Sequence, residues 1–431
     1  MKLKVFPSKL DGIVKAPPSK SYTHRAIMLA GLAEGKSIIE NPLISRDTIA
    51  TIDACRALGI EIEELDSSLN ITGKGMLTIP QNIIDVGNSG TTLRLITAIS
   101  SLISDGYTVL TGDNSIRSRP MQPLLDALNG LGVECWSTKM NGFPPIVVKG
   151  GGMLGGNVEI FGEISSQFIS GILIASQESK EEVSLDIRGK QVSIPYIDST
   201  IEIMKYFGGD VKSNPGRNYR VLGKSHYEST DFKIPGDFSS ASIIIATAVL
   251  SGGSVELENL NFSLPQSDHH IVKILEMLGI PHKLEASKGR LFVSGGVSLK
   301  EGVFNLSDSP DLVPIVAALA LKAEGRVVIE GVEHVRFKES DRISILSNQL
   351  RRVGCETIEN KSGLEIKAPS ELKGASLDAH GDHRLFMTFV AIALATGEEC
   401  IIDGLESIDI SYPSFLEDLR KLGGIFQVIR N

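Results

Sequence analysis

The sequence predicts an α/β protein of two domains, each assembled from three β-α-β-α-β-β repeat units, six repeats in all. Three observations carry this prediction. An amphipathic helical stretch that stops at a glycine recurs six times. A second, more apolar helical stretch precedes it each time. A β-branched or alternating run follows each apolar stretch.

The amphipathic helices read, in chain order, "IDACRALGIEIEE", "LLDALNGLGVECW", "IEIMKYFGGDVKS", "IVKILEMLGIPHKLE", "ILSNQLRRVGCETIE" and "FLEDLRKLGGIFQVI". Their closing glycines, Gly59, Gly132, Gly208, Gly279, Gly354 and Gly423, recur every 69 to 76 residues and span the chain. A glycine at that point supplies the left-handed conformation that satisfies the last helical carbonyls. The apolar helices are "SYTHRAIMLAGLAEG", "SGTTLRLITAISSLISDG", "SSQFISGILIASQESK", "FSSASIIIATAVLSGG", "DLVPIVAALALKAEG" and "DHRLFMTFVAIALATG". Strand-like runs such as "SVELENL", "RVVIEGV" and "ECIIDGL" come next. A helix that is apolar on most sides must be enclosed, so three are expected beneath the sheets of each domain. Residues 12–20 and 228–241 are the expected crossings between domains. A linear solenoid of six units is the competing architecture. It ranks lower because neither end carries a distinct polar capping unit.

Composition excludes several classes of function. Of 431 residues, 42% are hydrophobic and 22% charged, as in a globular protein, while aromatics at 5% leave little for base stacking. A net charge of −9 disfavours nucleic acid as a partner and makes any local group of Lys and Arg conspicuous. The opening residues lack the apolar core and cleavage site of a secretory signal. The longest apolar runs, such as 241–250, fall well short of the ~20 residues of a membrane span. Cys55, Cys135, Cys355 and Cys400 are far apart, with no C-x-x-C pair, so a reducing cytoplasm is expected.

The polar residues gather where the apolar helices begin. "APPSKSYTHRA" (16–26) puts Lys20, His24 and Arg25 around a first helical turn. The macrodipole disfavours cations there, unless an anion lies in front of them. Unit one thus offers Lys20, Ser21 and Arg25; unit two, "GNSGTTLR", offers Asn88, Gly90 and Arg94; unit three offers Ser165, Ser166 and Gln167. Unit four, "GDFSSA", reads as a plain cap. Unit five offers Asp311, and unit six Asp382, His383 and Arg384. The loops "NSIRSRP" and "RFKESDR" add Arg117, Arg119, Arg336, Lys338, Glu339, Asp341 and Arg342. Repeats place equivalent residues equivalently, so these clusters are expected to face one cleft between the domains. The implied activity is an enzyme acting on two small phosphorylated or carboxylated anions, with Asp311 and Glu339 available for proton transfer.

Other motifs read as structural. No P-loop is present, and "KGGGMLGGN" (149–157) is expected to be a hairpin loop. His383 lacks a second ligand at metal-binding spacing, so no metal is expected. "SDHH" (267–270) is expected to cap the helix that follows it.

In order, "PSKSYTHRA", "GNSGTTLR", "RSRPM", "SSQF", "PYID", "PDLVP", "FKESDRI" and "GDHR" resemble the EPSP synthase (3-phosphoshikimate 1-carboxyvinyltransferase) family across the whole chain. The resemblance implies one domain at 15–234 and another at 1–14 plus 235–431, with the first strand pairing in the latter. It implies transfer of the enolpyruvyl group of phosphoenolpyruvate to the 5-hydroxyl of shikimate 3-phosphate, releasing phosphate, a step of chorismate and aromatic amino-acid biosynthesis. No cofactor or metal and a monomeric state are implied. By resemblance, Lys20, Ser21, Arg25, Ser165, Ser166, Gln167, Ser193, Asp311 and Lys338 contact shikimate 3-phosphate. Lys20, Gly90, Arg119, Gln167, Arg342 and Arg384 contact phosphoenolpyruvate. Asp311 accepts the hydroxyl proton, Glu339 moves a proton at the methylene carbon, and Lys20 completes the catalytic set. Guanidinium forks at Arg342 and Arg384 suit a carboxylate in a way that lysine would not. Closure on binding the first substrate is a further expectation.

Two departures accompany the resemblance. Ile410 in "SIDISYPSF" stands where many members carry a lysine, and Leu95 replaces a proline after "GNSGTTLR". The nearest rival is the sister enzyme that transfers enolpyruvyl to a UDP-amino sugar, with a cysteine in its "RP" loop; here that position is Asn114. A non-catalytic, anion-binding repeat scaffold is the rival of another class.

Overall fold

The computed structural model describes residues 1–430. All six closing glycines have positive φ, between 75° and 104°. Each therefore ends its helix in the conformation that a side chain resists.

Twelve α-helices alternate with strands among the described residues: α1 Lys20–Leu32, α2 Arg46–Ala57, α3 Gly90–Ile99, α4 Gln122–Gly130, α5 Ser166–Ser176, α6 Ile194–Tyr206, α7 Phe238–Ser251, α8 His270–Leu278, α9 Val313–Leu319, α10 Arg342–Arg352, α11 His383–Leu394 and α12 Phe415–Lys421. The odd-numbered helices are the apolar ones. Every residue of α3, α9 and α11 is buried, as is all of α7 except Ser251. The even-numbered helices keep a polar face; α8, for example, buries only Ile271, Ile274, Leu275 and Leu278.

The strands form six four-stranded sheets of one topology. In each, the first strand of a unit runs parallel to the second, the second pairs antiparallel with the fourth, and the fourth with the third. The unit holding Gly156–Phe161, Val183–Arg188, Val211–Asn214 and Asn218–Val221 shows the pattern within one continuous segment. Elsewhere the pattern is completed from a distance. Strand Asp11–Lys15 precedes α1 in sequence, yet it pairs with Ser254–Glu258 behind α7. Strand Phe232–Lys233 precedes α7, yet it pairs with Glu34–Glu40 behind α1. Strand Lys2–Phe6 closes the last unit, between Cys400–Asp403 and Ile425–Ile429.

The chain divides into two compact units, Pro18–Pro235 and Met1–Pro17 with the chain from Gly236 onward. A boundary at 14/15 would cut the last residue from strand Asp11–Lys15, which belongs wholly to the second unit's sheet. In that second unit α7, α9 and α11 all pack on one another. A linear stack would keep the first and third apart, so this unit is not a solenoid. One continuous apolar core runs through it, from Leu3 and Val5 through Ile243–Ile245 to Phe386, Phe389 and Leu419. In the first unit α3 packs on α5, and α1 on α2 and α6. The segment 149–157 is not a hairpin loop: it joins strand Ile146–Lys149 of one sheet to Gly156–Phe161 of the next. Its glycines carry the chain between units.

The completion of the fourth unit's sheet by residues before α1 makes a prediction. A Cβ on Gly253 would lie 1.8 Å from the Leu10 carbonyl oxygen, whereas one on Gly397 would meet nothing within 4 Å. Gly253→Ala should lower stability by about 2–4 kcal/mol and Gly397→Ala by less than ~0.5 kcal/mol, as read from thermal melting of both variants.

Candidate active site

Each unit carries a polar cluster at the starts of its buried helices. In unit 18–235, Lys20 Nζ donates to Asp47 Oδ2 at 2.6 Å, with the two side chains 17% and 5% exposed. His24, wholly buried, lies 2.6 Å from Thr51 Oγ1 through Nδ1 and 3.7 Å from Asp47 through Nε2. Thr51 continues to Thr92, and Thr92 to Ser89, each at 2.6 Å between hydroxyl oxygens. This relay ties the beginnings of α1 and α3 to α2. Burial lowers the His24 basicity even though Asp47 opposes it, so the ring is neutral at pH 7. Burial would raise the Asp47 carboxyl, but Lys20 and His24 outweigh it and hold it well below the usual carboxylate range.

Arg25 is also buried. It donates through Nε to Thr200 Oγ1 at 2.7 Å, through Nη1 to Ser21 O at 2.9 Å and through Nη2 to Tyr196 O at 3.2 Å. All three acceptors are neutral. Burial brings its pKa down to about 10, so it remains a cation at neutral pH. A desolvated cation among neutral dipoles attracts an anion strongly. Ser193, just ahead of α6, holds a left-handed φ of 57°, and its side chain does not cap the helix. Such strain outside glycine costs about 1–3 kcal/mol and gathers at functional positions.

On α3, a Cβ at Gly90 would lie 2.3 Å from Arg119 Nη1 and would displace it. The Arg119 guanidinium thus lies against the first turn of that helix. Gln167, at the start of α5, is fixed from both ends. Its Oε1 accepts from Arg94 Nη1 at 2.6 Å, and its Nε2 donates to Thr91 Oγ1 at 2.9 Å. Ser165 caps α5 by accepting from Gln167 N, and Ser166 is buried beside it.

In the other unit one guanidinium organises the cluster. Arg342, 1% exposed, donates through Nη1 to Asp311 Oδ1, through Nη2 to Glu339 Oε2 and through Nε to Asp382 Oδ2, each at 2.8 Å. Burial works against its charge, and the three carboxylates more than restore it. Arg384 Nη2 donates to the second Asp311 oxygen at 3.1 Å. Asp382 also caps α11 by accepting from Arg384 N and Leu385 N. Lys338 is half-buried in the turn before α10.

Some sequence expectations take another form here. The Arg342 fork, expected to receive a substrate carboxylate, is filled by three protein carboxylates. Arg336 is engaged by Asp341 at 2.8 Å and Glu359 at 2.9 Å, and Arg117 by the Gly112 carbonyl and Asn114. Both sit in local networks beside the clusters. "SDHH" makes no cap: α8 begins without a side-chain cap bond. Sequence does not single out Asp47, Thr51 and Thr92, because their partners lie 27 and 41 residues away. The only local trace was the "SRDT" cap opening α2.

The fold and the two clusters define a repeat-built α/β enzyme for small, multiply charged anions. The chain matches the EPSP synthase (3-phosphoshikimate 1-carboxyvinyltransferase) family over residues 6–419 and belongs to it. It is 42% identical over 424 residues to a 3-phosphoshikimate 1-carboxyvinyltransferase of Methanococcus maripaludis, covering 98% of each chain. It is 44% identical over 423 residues to one of Methanocaldococcus jannaschii, covering 97% of each. A solved EPSP synthase from Acinetobacter baumannii superposes with a TM-score of 0.84 at 27% identity, over 100% of each chain.

The neutral, buried His24 has a pH signature. A histidine depressed in the folded state binds its proton more readily once unfolded, so its contribution is present above the unfolded value of 6.5 and is lost as pH falls below it. Between pH 7.5 and 5.5 the melting temperature of the wild type should fall further than that of His24→Gln. Equal losses would place the acid sensitivity elsewhere.

Proposed function

We propose that the residues of the two clusters take part in one reaction, the enolpyruvyl transfer of the family. The chain is a transferase of the shikimate pathway, moving the enolpyruvyl group of phosphoenolpyruvate to the 5-hydroxyl of shikimate 3-phosphate. The sister enzyme acting on a UDP-amino sugar and the non-catalytic scaffold are not favoured by these relatives.

In this reading Lys20, Ser21, Arg25, Ser165, Ser166, Gln167, Ser193 and Lys338 hold shikimate 3-phosphate. Lys20, Gly90, Arg119, Gln167, Arg342 and Arg384 hold phosphoenolpyruvate. The neutral acceptors around Arg25 support the first set, since an anion completes that guanidinium without displacing a carboxylate. Asp311 takes the proton of the 5-hydroxyl as its oxygen bonds to C2 of phosphoenolpyruvate, while Glu339 delivers a proton to the methylene carbon. The tetrahedral adduct then breaks the C2 bond to the phosphate oxygen, and the methyl carbon returns a proton. The enol ether and phosphate remain.

The observation that carries this assignment is Asp311 itself: a carboxylate only 18% exposed, each oxygen held by a different buried arginine. Two guanidiniums favour its anionic, proton-accepting form. When a substrate anion takes over part of Arg342 or Arg384, Asp311 loses a cation and becomes the stronger base at the moment it is needed. Because all the residues invoked come from one chain, the reading takes the protein as a monomer. Four buried free thiols support a reducing cytoplasm.

Mixing phosphoenolpyruvate with shikimate 3-phosphate should release phosphate. Asp311→Ala should reduce kcat by about 10²–10⁴-fold and Lys20→Met by about 10²–10³-fold. Phosphate release unaffected by Asp311→Ala overturns the assignment of the base. Gly90→Ala, whose methyl displaces the Arg119 guanidinium, should raise KM for phosphoenolpyruvate roughly tenfold and leave KM for shikimate 3-phosphate within about twofold.

A further inference from the structure

Asp268 is 2% exposed and belongs to neither set of substrate contacts. It lies in the 3-10 turn Ser267–His269, expected from sequence to cap α8, which it does not do. Its Oδ2 instead accepts a hydrogen bond from Ser239 Oγ, in the first turn of α7. Its Oδ1 is buried with no hydrogen-bond partner. Two hydrogen bonds lock this turn to the segment that carries Asp311: Ser267 Oγ donates to Asp308 O, and Ser309 Oγ donates to Ser267 O at 3.0 Å. The turn Pro310–Leu312, with Asp311 in it, is thus tethered to the turn that holds Asp268.

From this geometry we infer that Asp268 is a positioning residue for Asp311, a second carboxyl clamped beside the base whose charge sets how strongly Asp311 takes the hydroxyl proton. The inference rests on the assignment of Asp311 under Proposed function. Two carboxyls that face the same arginine compete for it.

The charges around Asp268 give the direction. Burial pushes its pKa up, and the Asp311 charge adds to this; Arg384 and the Ser239 hydrogen bond pull it down, and Asp237, the cap of α7, pushes it up again, leaving it at about 7. From α8 and the adjoining turn, burial lowers the basicity of His269 against the Asn261 hydrogen bond, and burial and Lys273 lower that of His270 against Asp308. Arg342 faces the pair from α10 through its bond to Asp311. Asp268 is thus neutral below this window and ionised above it. Its negative charge, once formed, makes Asp311 the better base. Turnover rises with pH through the same window.

The test is the pH profile of kcat, with saturating phosphoenolpyruvate and shikimate 3-phosphate, between pH 5.5 and 8.5. The wild type should show an inflection near neutrality. Asp268→Asn, neutral at every pH, should lose it, with kcat reduced about threefold to tenfold above pH 7.5 and little changed below pH 6. Ser239→Ala removes a bond that favours the ionised form, so the inflection should move up by roughly half to one pH unit. A purely structural role would scale kcat equally at all pH values. An Asp268→Asn profile parallel to the wild type, or a Ser239→Ala inflection at the unaltered pH, overturns the inference. If Asp268→Asn does not fold, Ser239→Ala decides alone. Asp311→Asn separates the two levels: near-normal turnover in it removes the base itself, whereas its inactivity with a parallel Asp268→Asn profile removes only the positioning role.

Discussion

A helix that is apolar on every side exists only when enclosed, and enclosure buries its unpaired first-turn N–H groups as well. That constraint shapes this protein. The starts of α3, α5, α7 and α11 are satisfied by the side chains of Ser89, Ser165, Asp237 and Asp382, each accepting from backbone N–H groups one turn on. Polar chemistry is thereby concentrated at one end of each buried helix. Amide donors, dipoles and cations collect in places that are otherwise dry, where each is worth more than at the surface. The repeat multiplies this arrangement, so the chain acquires several anion-seeking positions from a single architectural rule.

The two units use the rule differently. In unit 18–235 Arg25 is supported by neutral groups, Thr200 and two carbonyls, and Lys20 by one carboxylate, Asp47, that is itself held by His24. Such a surface binds negative charge. In the other unit Arg342 sits among Asp311, Glu339 and Asp382, so its charge is more than matched by protein carboxylates. A cluster of acids around shared guanidiniums is suited to moving protons. Removing one partner from so dry a network leaves a buried charge uncompensated, a loss of about 3–5 kcal/mol.

The glycine period and the apolar helices were legible because both are local: each follows from residues within one turn or one repeat. The exchange of first strands was legible only as crossings at 12–20 and 228–241, not as a pairing. Nothing in Asp11–Lys15 distinguishes pairing with Ser254–Glu258 from pairing with Glu34–Glu40, since a parallel strand's partner is decided by how the whole unit closes. Among the site residues, the helix-start cations could be read from sequence because a cation at a positive dipole end is anomalous. Asp47 could not, because a lone acid at the start of a capped helix is ordinary. "RFKESDR" misled in the opposite way: Arg336 and Arg342 look alike in sequence, but Arg336 turns to Asp341 and Glu359 while Arg342 enters the core.

Position 410 shows how the interior limits substitution within such a site. A lysine is expected there by resemblance, yet Ile410 is 8% exposed, at the end of the 3-10 turn Leu405–Ile410. Ser411 and Tyr412 next to it are buried too. An ammonium at that depth would need a carboxylate or an anion to compensate it; an isoleucine needs only apolar neighbours. The substitution therefore removes one cation from the half of the protein in which cations are already matched by acids. In the reading proposed above, what remains for an incoming carboxylate there is Arg384 and whatever share of Arg342 its acids give up. On that reading, substrate binding is coupled to a rearrangement of the Arg342 network more tightly than it would be with a lysine in place.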